Sequence, residues 1–442
     1  MTPLFGTDGV RGRANELLTP ELAVAIARAA ADQIVPEGGR IIIGRDTRNS
    51  GSMLEAALAS GFASAGVDVC LAGIIPTPAI SFLIKDERAD LGAVISASHN
   101  PPEDNGIKLF NRRGMKLETH EETAIEAALD HPICPRSHVG KISTLEAAAT
   151  RYAAFLAGAI DGEHIDFSEM TIVADCAFGA TARIAPHVLR HLGARVIALH
   201  DDLDGDRINQ GCGSTCLDPL RAAVHAHQAD LGVAFDGDGD RVLLVAPDGE
   251  TIDGDRMIGI AAQCMAEEGT LSPAVVVTTV MSNSGLEDHL MQQGIRVIRT
   301  PVGDRHVSQH MHEASALVGG EPSGHVIFSK HSPTGDGILT AVKLLEMAHR
   351  KGVDLGTLAR SIPLFPQVLR NVPSASPADL TADPRVQDAV TEAKKQLGTR
   401  GQVLLRASGT QPLVRILVEG EDETLCHCIA DAIEAALRSA KP

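Results

Sequence analysis

Three stretches of this 442-residue chain repeat one grammar: a short apolar strand, a small-residue turn, a helix, then glycine before a second strand. The first runs from Arg40-Ile-Ile-Ile-Gly44 through an Ala-rich helix to Gly66-Val-Asp-Val69. The second runs from Thr171-Ile-Val-Ala174 to Gly193-Ala-Arg-Val196, and the third from Ala274-Val-Val-Val277 to Gly294-Ile-Arg-Val297. Continuous β-branched strands alternating with helices imply buried, largely parallel sheet. A spacing of roughly 100 residues is far above any solenoid period, so the repeats mark domains in series. Beyond them lies a stretch carrying Pro363, Pro366, Pro373, Pro377 and Pro384, which reads as a linker or irregular entry. It leads to the strand Leu413-Val-Arg-Ile-Leu-Val418 and a helix beginning near Asp422. The expected fold is α/β: three related α/β domains with mixed, largely parallel sheets, plus a smaller C-terminal α+β domain. The expected domains are residues 1–150, 151–252, 253–365 and 366–442. One loop from each would meet in a central cleft, where ligands tend to bind.

The loop most able to bind an ion is Asp236-Gly-Asp238-Gly-Asp240-Arg241. In an extended segment alternate side chains share a face, so the three carboxylates are expected to converge. Hard oxygen donors in such a cluster suit Mg²⁺. A solvated acidic turn explains a single Asp-Gly, but not three in alternation ahead of the apolar run Val242-Leu-Leu-Val245. An EF-hand would need Gly and Glu where Arg241 and Pro247 stand.

Four further loops carry polar chemistry. Ile95-Ser-Ala-Ser-His-Asn-Pro101 follows the apolar strand Leu91–Ile95, which puts Ser98 at a strand's C-terminal end, where α/β sheets present reactive groups. A Ser98–His99 dyad is disfavoured, because adjacent side chains in extended backbone point apart. Serine is a poor nucleophile unless a base or metal activates it, so the acidic loop gives Ser98 its weight. Gly319-Gly-Glu-Pro-Ser-Gly-His325 offers Glu321 and Ser323 to paired sugar hydroxyls, and His325 as a proton carrier. Arg406-Ala-Ser-Gly-Thr-Gln-Pro412, with Arg415 close by, supplies hydroxyls, a glycine-permitted nest and guanidinium groups for a phosphate. Phe5-Gly-Thr-Asp-Gly-Val-Arg-Gly12 brings Arg11, and Lys108 lies shortly after Ser98. Each loop alone also reads as an ordinary turn, and Lys108 as a surface lysine.

A net charge of −18, no Trp and one Tyr argue against a nucleic-acid partner. An anionic substrate must therefore meet a local basic site. No basic-then-apolar leader opens the sequence, and runs such as Tyr152–Ile160 are too short to span a bilayer. A cytoplasmic protein without membrane contact is expected. Its eight cysteines are scattered, with Cys212/Cys216 and Cys426/Cys428 the close pairs, and read as reduced thiols.

With these five loops in this order, nearly the whole chain resembles the α-D-phosphohexomutase superfamily. Phe5-Gly-Thr-Asp8, Ile208-Asn-Gln-Gly-Cys-Gly-Ser-Thr215 and Val302-Gly-Asp-Arg305 resemble its glucosamine branch. The resemblance implies a phosphoryl group on Ser98 in the active enzyme and one Mg²⁺ per chain, held by Ser98, Asp236, Asp238 and Asp240. It implies Ser98, Lys108, His325 and Arg241 as the catalytic set. The substrate contacts it implies are Arg11, Gly303, Asp304, Arg305, Glu321, Ser323, Arg406, Ser408, Gly409, Thr410 and Arg415. The expected substrate is a hexosamine phosphate, and the expected assembly a monomer or homodimer. Pro322, Gln411, His306 and Phe178 depart from residues usual in the family. Rival readings are phosphomannomutase/phosphoglucomutase activity, an Asp-nucleophile phosphatase and a non-catalytic sugar-phosphate sensor. The phosphatase needs an early Asp-x-Asp that Asp8 does not provide. The sensor would have no use for Ser98 or three aligned carboxylates.

Overall fold

The computed structural model describes residues 3–6, 8–129, 138–160, 165–374, 376–398, 400–407 and 413–440. They fall into two compact units, Met1–Met281 with Arg296–Arg360, and Ser282–Ile295 with Ser361–Pro442.

The larger unit holds three sheets. The first orders its strands Val10–Arg13, Asp104–Asn111, Leu91–Ile95, Gly39–Arg45, Val67–Ile74 and Ile142–Thr144. Gly39–Arg45 pairs in parallel with both Val67–Ile74 and Leu91–Ile95, while Asp104–Asn111 returns antiparallel to Leu91–Ile95. Ile41, Ile42 and Ile43 are all buried. That is why this strand is apolar without alternation: helices cover both faces of the sheet. On one face, Ile41 and Ile43 pack with Ala23, Ile26 and Ala27 of helix Pro20–Ile34 and with Leu54, Leu58 and Phe62 of helix Gly51–Ser64.

The second sheet runs Thr251–Ile252, Val242–Val245, Leu231–Phe235, Thr171–Asp175, Arg195–Leu199. The third runs Arg296–Thr300, Val275–Thr279, Val318–Gly320, Val326–Phe328. Each contains the expected parallel pair, Thr171–Asp175 with Arg195–Leu199 and Val275–Thr279 with Arg296–Thr300. Each also ends in an antiparallel hairpin. The sheets are therefore mixed, and the two hairpins carry the acidic loop and the Glu321 loop at their turns.

In the smaller unit, strands Gln367–Pro373, Leu413–Gly420 and Gly401–Ala407 form a wholly antiparallel sheet. Val368, Val414, Ile416 and Val418 pack there against Val386, Ile429 and Ile433. Helix Ser284–Gln292 belongs to this unit, its N-cap Asn283 exchanging two hydrogen bonds with the backbone of Phe365. The proline-rich stretch is an irregular entry only at its start, where Pro363 and Pro366 lie outside helix and strand. Pro373 ends a strand, while Pro377 and Pro384 occupy the first turns of helices, where a missing N–H costs nothing. The last helix, Glu423–Ser439, is capped by Asp422, whose carboxylate accepts from the Thr424 and Leu425 amides.

Among the described residues no helix is long and apolar enough to cross a membrane. The described cysteines are all free, and Cys176, Cys212, Cys264 and Cys426 are buried.

Candidate active site

Ser98 follows strand Leu91–Ile95 as expected, but its backbone is left-handed, at φ 53°. That reverses one sequence expectation. The turn brings neighbouring side chains together, so Ser98 Oγ lies 3.3 Å from His99 Nδ1. Burial, then the charges of Arg241 and Arg11, pull the His99 pKa down to about 4, which leaves the ring neutral at ordinary pH. On its other side Ser98 Oγ donates to Asp236 Oδ2 at 2.6 Å.

The three carboxylates do converge, though not by the extended geometry expected. Strands Leu231–Phe235 and Val242–Val245 form a hairpin with Phe235 opposite Val242, so the acidic loop must turn back on itself. Gly239 makes that turn at φ 70°, its amide donating to Asp236 O at 3.2 Å. One oxygen from each of Asp236, Asp238 and Asp240 lies within 4.8 Å of the others, and all three residues are buried. Burial, then Asp240 and Asp238, push the Asp236 carboxyl well above the usual range. Burial opposes ionisation of the other two as well. Lys108 and Thr77 nevertheless bring Asp238 below its ordinary value, and Lys108, His325 and Arg241 do the same for Asp240. Compensation by neighbouring cations is therefore uneven, and it is least complete at Asp236. Asp238 Oδ1 and Asp240 Oδ1 are buried without a hydrogen-bond partner among the described residues. Hard oxygens, uncompensated charge and unused lone pairs fit a small hard divalent cation such as Mg²⁺.

Lys108 is no surface lysine. Its ammonium is buried, 2.7 Å from Asp238 Oδ2 and 3.8 Å from Asp240 Oδ2. Thr77, in the first turn of helix Thr77–Asp86, donates its hydroxyl to the same Asp238 oxygen at 2.6 Å. The Arg241 amide donates to Asp236 Oδ1 at 3.2 Å, and its guanidinium Nε lies 3.9 Å from Asp240 Oδ1. His325 is buried with Nδ1 3.6 Å from Asp240 Oδ2, while Nε2 accepts the Gly335 amide at 3.0 Å. That second contact fixes the ring proton on Nδ1, facing the carboxylate. Burial lowers the His325 pKa, but Asp240 more than offsets it.

The turn Glu321–Gly324 places Glu321 Oε1 3.0 Å from the Gly303 amide, with Ser323 Oγ 3.5 Å from Oε2. Gly303 caps helix Asp304–Ala314, so the Gly303–Arg305 loop and the Glu321 loop adjoin. Asp304 groups with Asp240 and His325 within 4.8 Å and also receives Lys116, which reaches Asp8 as well. Arg11 lies 3.3 Å from Asp8 on a strand that pairs with the Lys108 strand. Arg305 Nη2 lies 2.6 Å from Glu122 Oε1, while its Nε has no hydrogen-bond partner among the described residues. Of the departing residues, Pro322 O accepts from the Gly254 amide and Phe178 O from Thr47 Oγ1, so both are held through backbone. His306 O accepts from His310 Nδ1.

In the smaller unit Arg406 and Arg415 face each other across two antiparallel strands. Like charges opposed in this way repel unless an anion lies between them. Ser408, Gly409, Thr410 and Gln411 lie outside the described residues.

Models for phosphoglucomutase/phosphomannomutase match the chain in succession. Alpha/beta/alpha domain I matches residues 2–132, domain II 150–249, domain III 253–365 and the C-terminal domain 369–436. The phosphoglucosamine mutase of Frankia alni is 45% identical over 455 aligned positions, covering 100% of this chain and 99% of that protein. The chain belongs to the phosphoglucosamine mutase family. It is a phosphohexomutase, an isomerase of the α-D-phosphohexomutase superfamily. A phosphoglucomutase/phosphomannomutase family protein of Burkholderia thailandensis superposes with TM-score 0.84 at 26% identity, covering 99% and 98% of the two chains. The N-acetylphosphoglucosamine mutase of Aspergillus fumigatus, solved with GlcNAc-6P and magnesium, shares the fold at TM-score 0.69 and 17% identity, covering 99% and 96%.

Two residues at the site, Thr77 and Arg48, lie in no motif singled out from the sequence, and Asn209 lies in the Ile208–Thr215 motif without a role assigned to it. Thr77 holds an acidic side chain, and the other two hold the Ser98 backbone.

Proposed function

We propose that the chain interconverts glucosamine 6-phosphate and glucosamine 1-phosphate through a phosphoryl group carried on Ser98. The observation that carries the reaction is Ser98 Oγ at 2.6 Å from a buried three-carboxylate cluster with unsatisfied oxygens. Full-length similarity to phosphoglucosamine mutases supports the sugar. Asp236, Asp238, Asp240 and the Ser98 phosphate would hold Mg²⁺, which would supply charge neutralisation for phosphoryl transfer.

The protein's own groups do the rest. A sugar hydroxyl attacks phosphorus, the P–O bond to Ser98 breaks, and a bisphosphorylated sugar forms. The bisphosphate then turns over and returns its other phosphate to Ser98. A proton leaves the sugar hydroxyl and one returns to Ser98 Oγ, so the pocket needs a relay. Lys108 Nζ, 2.7 Å from Asp238 Oδ2, and His325 Nδ1, 3.6 Å from Asp240 Oδ2, are the two groups beside the cluster able to serve as that relay. Arg241 stabilises the developing charge. Gly303, Asp304, Arg305, Glu321, Ser323 and Arg11 orient the sugar phosphate, while Arg406, Ser408, Gly409, Thr410 and Arg415 grip the phosphate that is not transferred. Phosphoryl transfer asks mainly for such positioning.

Turnover of the 6-phosphates of glucosamine, glucose and mannose tests the sugar assignment. The glucosamine ester should give the highest kcat/KM. An equal or higher value with glucose or mannose would assign the chain to the other activity instead.

Glu321→Ala tests the sugar loop. Among the described residues, Glu321 Oε2 accepts a long 3.5 Å hydrogen bond from Ser323, which leaves this oxygen able to accept from a hydroxyl. Losing a charged acceptor should lower kcat/KM in both directions by about 1.5–3 kcal/mol of transition-state binding. Glu321→Gln, which still accepts the Gly303 amide, should lose less. Unchanged kinetics in the alanine variant would reduce the loop to a turn.

A further inference from the structure

The left-handed turn at Ser98 is held from two directions by the same pair of bonds. Ser98 O accepts from Arg48 Nη2 at 3.1 Å and from Asn209 Nδ2 at 2.8 Å. Asn100 O accepts from Arg48 Nη2 at 2.8 Å and from Asn209 Nδ2 at 3.1 Å. One guanidinium nitrogen and one amide nitrogen thus bracket two carbonyls that flank His99. With two carbonyl oxygens on one side, only the amide nitrogen of Asn209 can face them, which fixes its orientation.

The two donors come from different sheets. Arg48 follows strand Gly39–Arg45 and is fully buried. It also donates to Pro101 O and, at 2.8 Å, to Asp104 O, and its Nε meets Asp46 Oδ2 at 2.9 Å. The same Asp46 oxygen accepts from Ser96 Oγ at 2.6 Å, and Ser96 Oγ in turn accepts the Ser98 amide at 2.9 Å. Asn209 comes from the Ile208–Thr215 motif, itself left-handed at φ 61°, with its amide bonded to Ala177 O at 3.1 Å. The acidic loop rests on this arrangement. A Cβ on Gly237 would lie 2.8 Å from Ser98 O and 2.9 Å from Asn209 Nδ2, so a side chain there would push the clamp out of place.

We propose that Asn209 and Arg48 act as a two-donor clamp, positioning residues that hold Ser98 with its Oγ toward Asp236. The proposal rests on Ser98 as the phosphoryl carrier. Arg48 organises the whole loop, while Asn209 is the second strut. Without Asn209, both carbonyls keep a donor in Arg48, so the loop stays folded and only the aim of Ser98 loosens. The Asn209 amide nitrogen is spent on these two carbonyls, so its loss acts on the chemical step and not on substrate affinity.

Asn209→Gly tests this, because glycine suits φ 61° and removes only the amide. Asn209→Asp is the second variant, since it keeps size and backbone preference but faces the carbonyls with an acceptor. The expected result is a fall in kcat on the order of 10²-fold in both variants, with KM within about twofold of the native value. Melting temperature and substrate affinity should stay near native in Asn209→Gly, the variant that decides the question, and intact mass should show slower rephosphorylation of Ser98 in both. A native kcat in Asn209→Gly, with Ser98→Ala inactive, overturns the clamp and leaves the phosphoserine reading standing. Parallel loss of melting temperature, KM and kcat also overturns it, by making Asn209 merely structural. Native turnover in Ser98→Ala would remove the reading beneath the proposal.

Discussion

Ser98→Ala is expected to abolish steady-state mutase activity, by on the order of 10⁴-fold or more, and to remove phosphate from the intact protein. The hydroxyls of Ser96 and Thr77 are already engaged. Ser96 Oγ is occupied between Asp46 and the Ser98 amide, and Thr77 Oγ1 is bonded to Asp238. The fold should survive. Alanine at this position meets the same left-handed backbone as serine, so no new strain arises. The loss is one hydrogen bond to Asp236 Oδ2 and the contact with His99, about 1 kcal/mol of stability. Sugar phosphate should therefore still bind, since the groups assigned to hold it are untouched. Intact mass before and after incubation with substrate, alongside calorimetric titration, separates these effects. Stoichiometric phosphate on the alanine protein with normal turnover would show that another residue is the donor.

The parts of the fold that were legible in the sequence are those fixed by local pattern. Ile41, Ile42 and Ile43 announce a strand buried on both faces, and Gly66, Gly193 and Gly294 mark where each helix gives way to the next strand. Ser98 was legible because strand ends present reactive groups, and the acidic loop because its composition has no ordinary structural use. The geometry within those loops was not legible. Extended backbone was the wrong premise for both, since a hairpin turn gathers the carboxylates and a left-handed residue joins Ser98 to His99. The later prolines, Pro377 and Pro384, misled for a related reason: proline is read as a breaker, yet it fits a helix's first turn.

The residues that hold the site together lie far from it in sequence. Arg48 and Asn209 are 50 and 111 positions from Ser98, and nothing in a periodicity argument reaches that far. One signal existed. Asp46-Thr-Arg-Asn-Ser50 is a polar run at the C-terminal end of a strand, the same context that flagged Ser98. A buried arginine there has no packing role that leucine would not fill better, and it needs carbonyls to satisfy it. The rule applied to Ser98 would have found it.

The second large effect belongs to Asp238, and the structure changes which substitution reports it. Asp238→Ala removes a metal ligand, but it also strands the Lys108 ammonium and the Thr77 hydroxyl, both buried and both bonded to Asp238 Oδ2. Leaving one partner of a buried pair uncompensated costs about 3–5 kcal/mol, so the alanine protein should melt well below the native one. Asp238→Asn keeps an oxygen acceptor for Thr77 and Lys108 and loses only the charge. It should hold most of the stability, yet the cluster would then offer a divalent cation one negative charge fewer. Turnover should fall by on the order of 10²-fold or more in the asparagine variant. The Mg²⁺ concentration for half-maximal activity should rise by about 10–100-fold. Melting curves with and without Mg²⁺ give a readout independent of activity, because a cation that binds only the folded state raises the midpoint. The native protein should gain from Mg²⁺ and the asparagine variant should gain less. If Asp238→Asn turned over normally with an unaltered Mg²⁺ requirement, the acidic loop would not be the metal site, and its unsatisfied oxygens would need another partner.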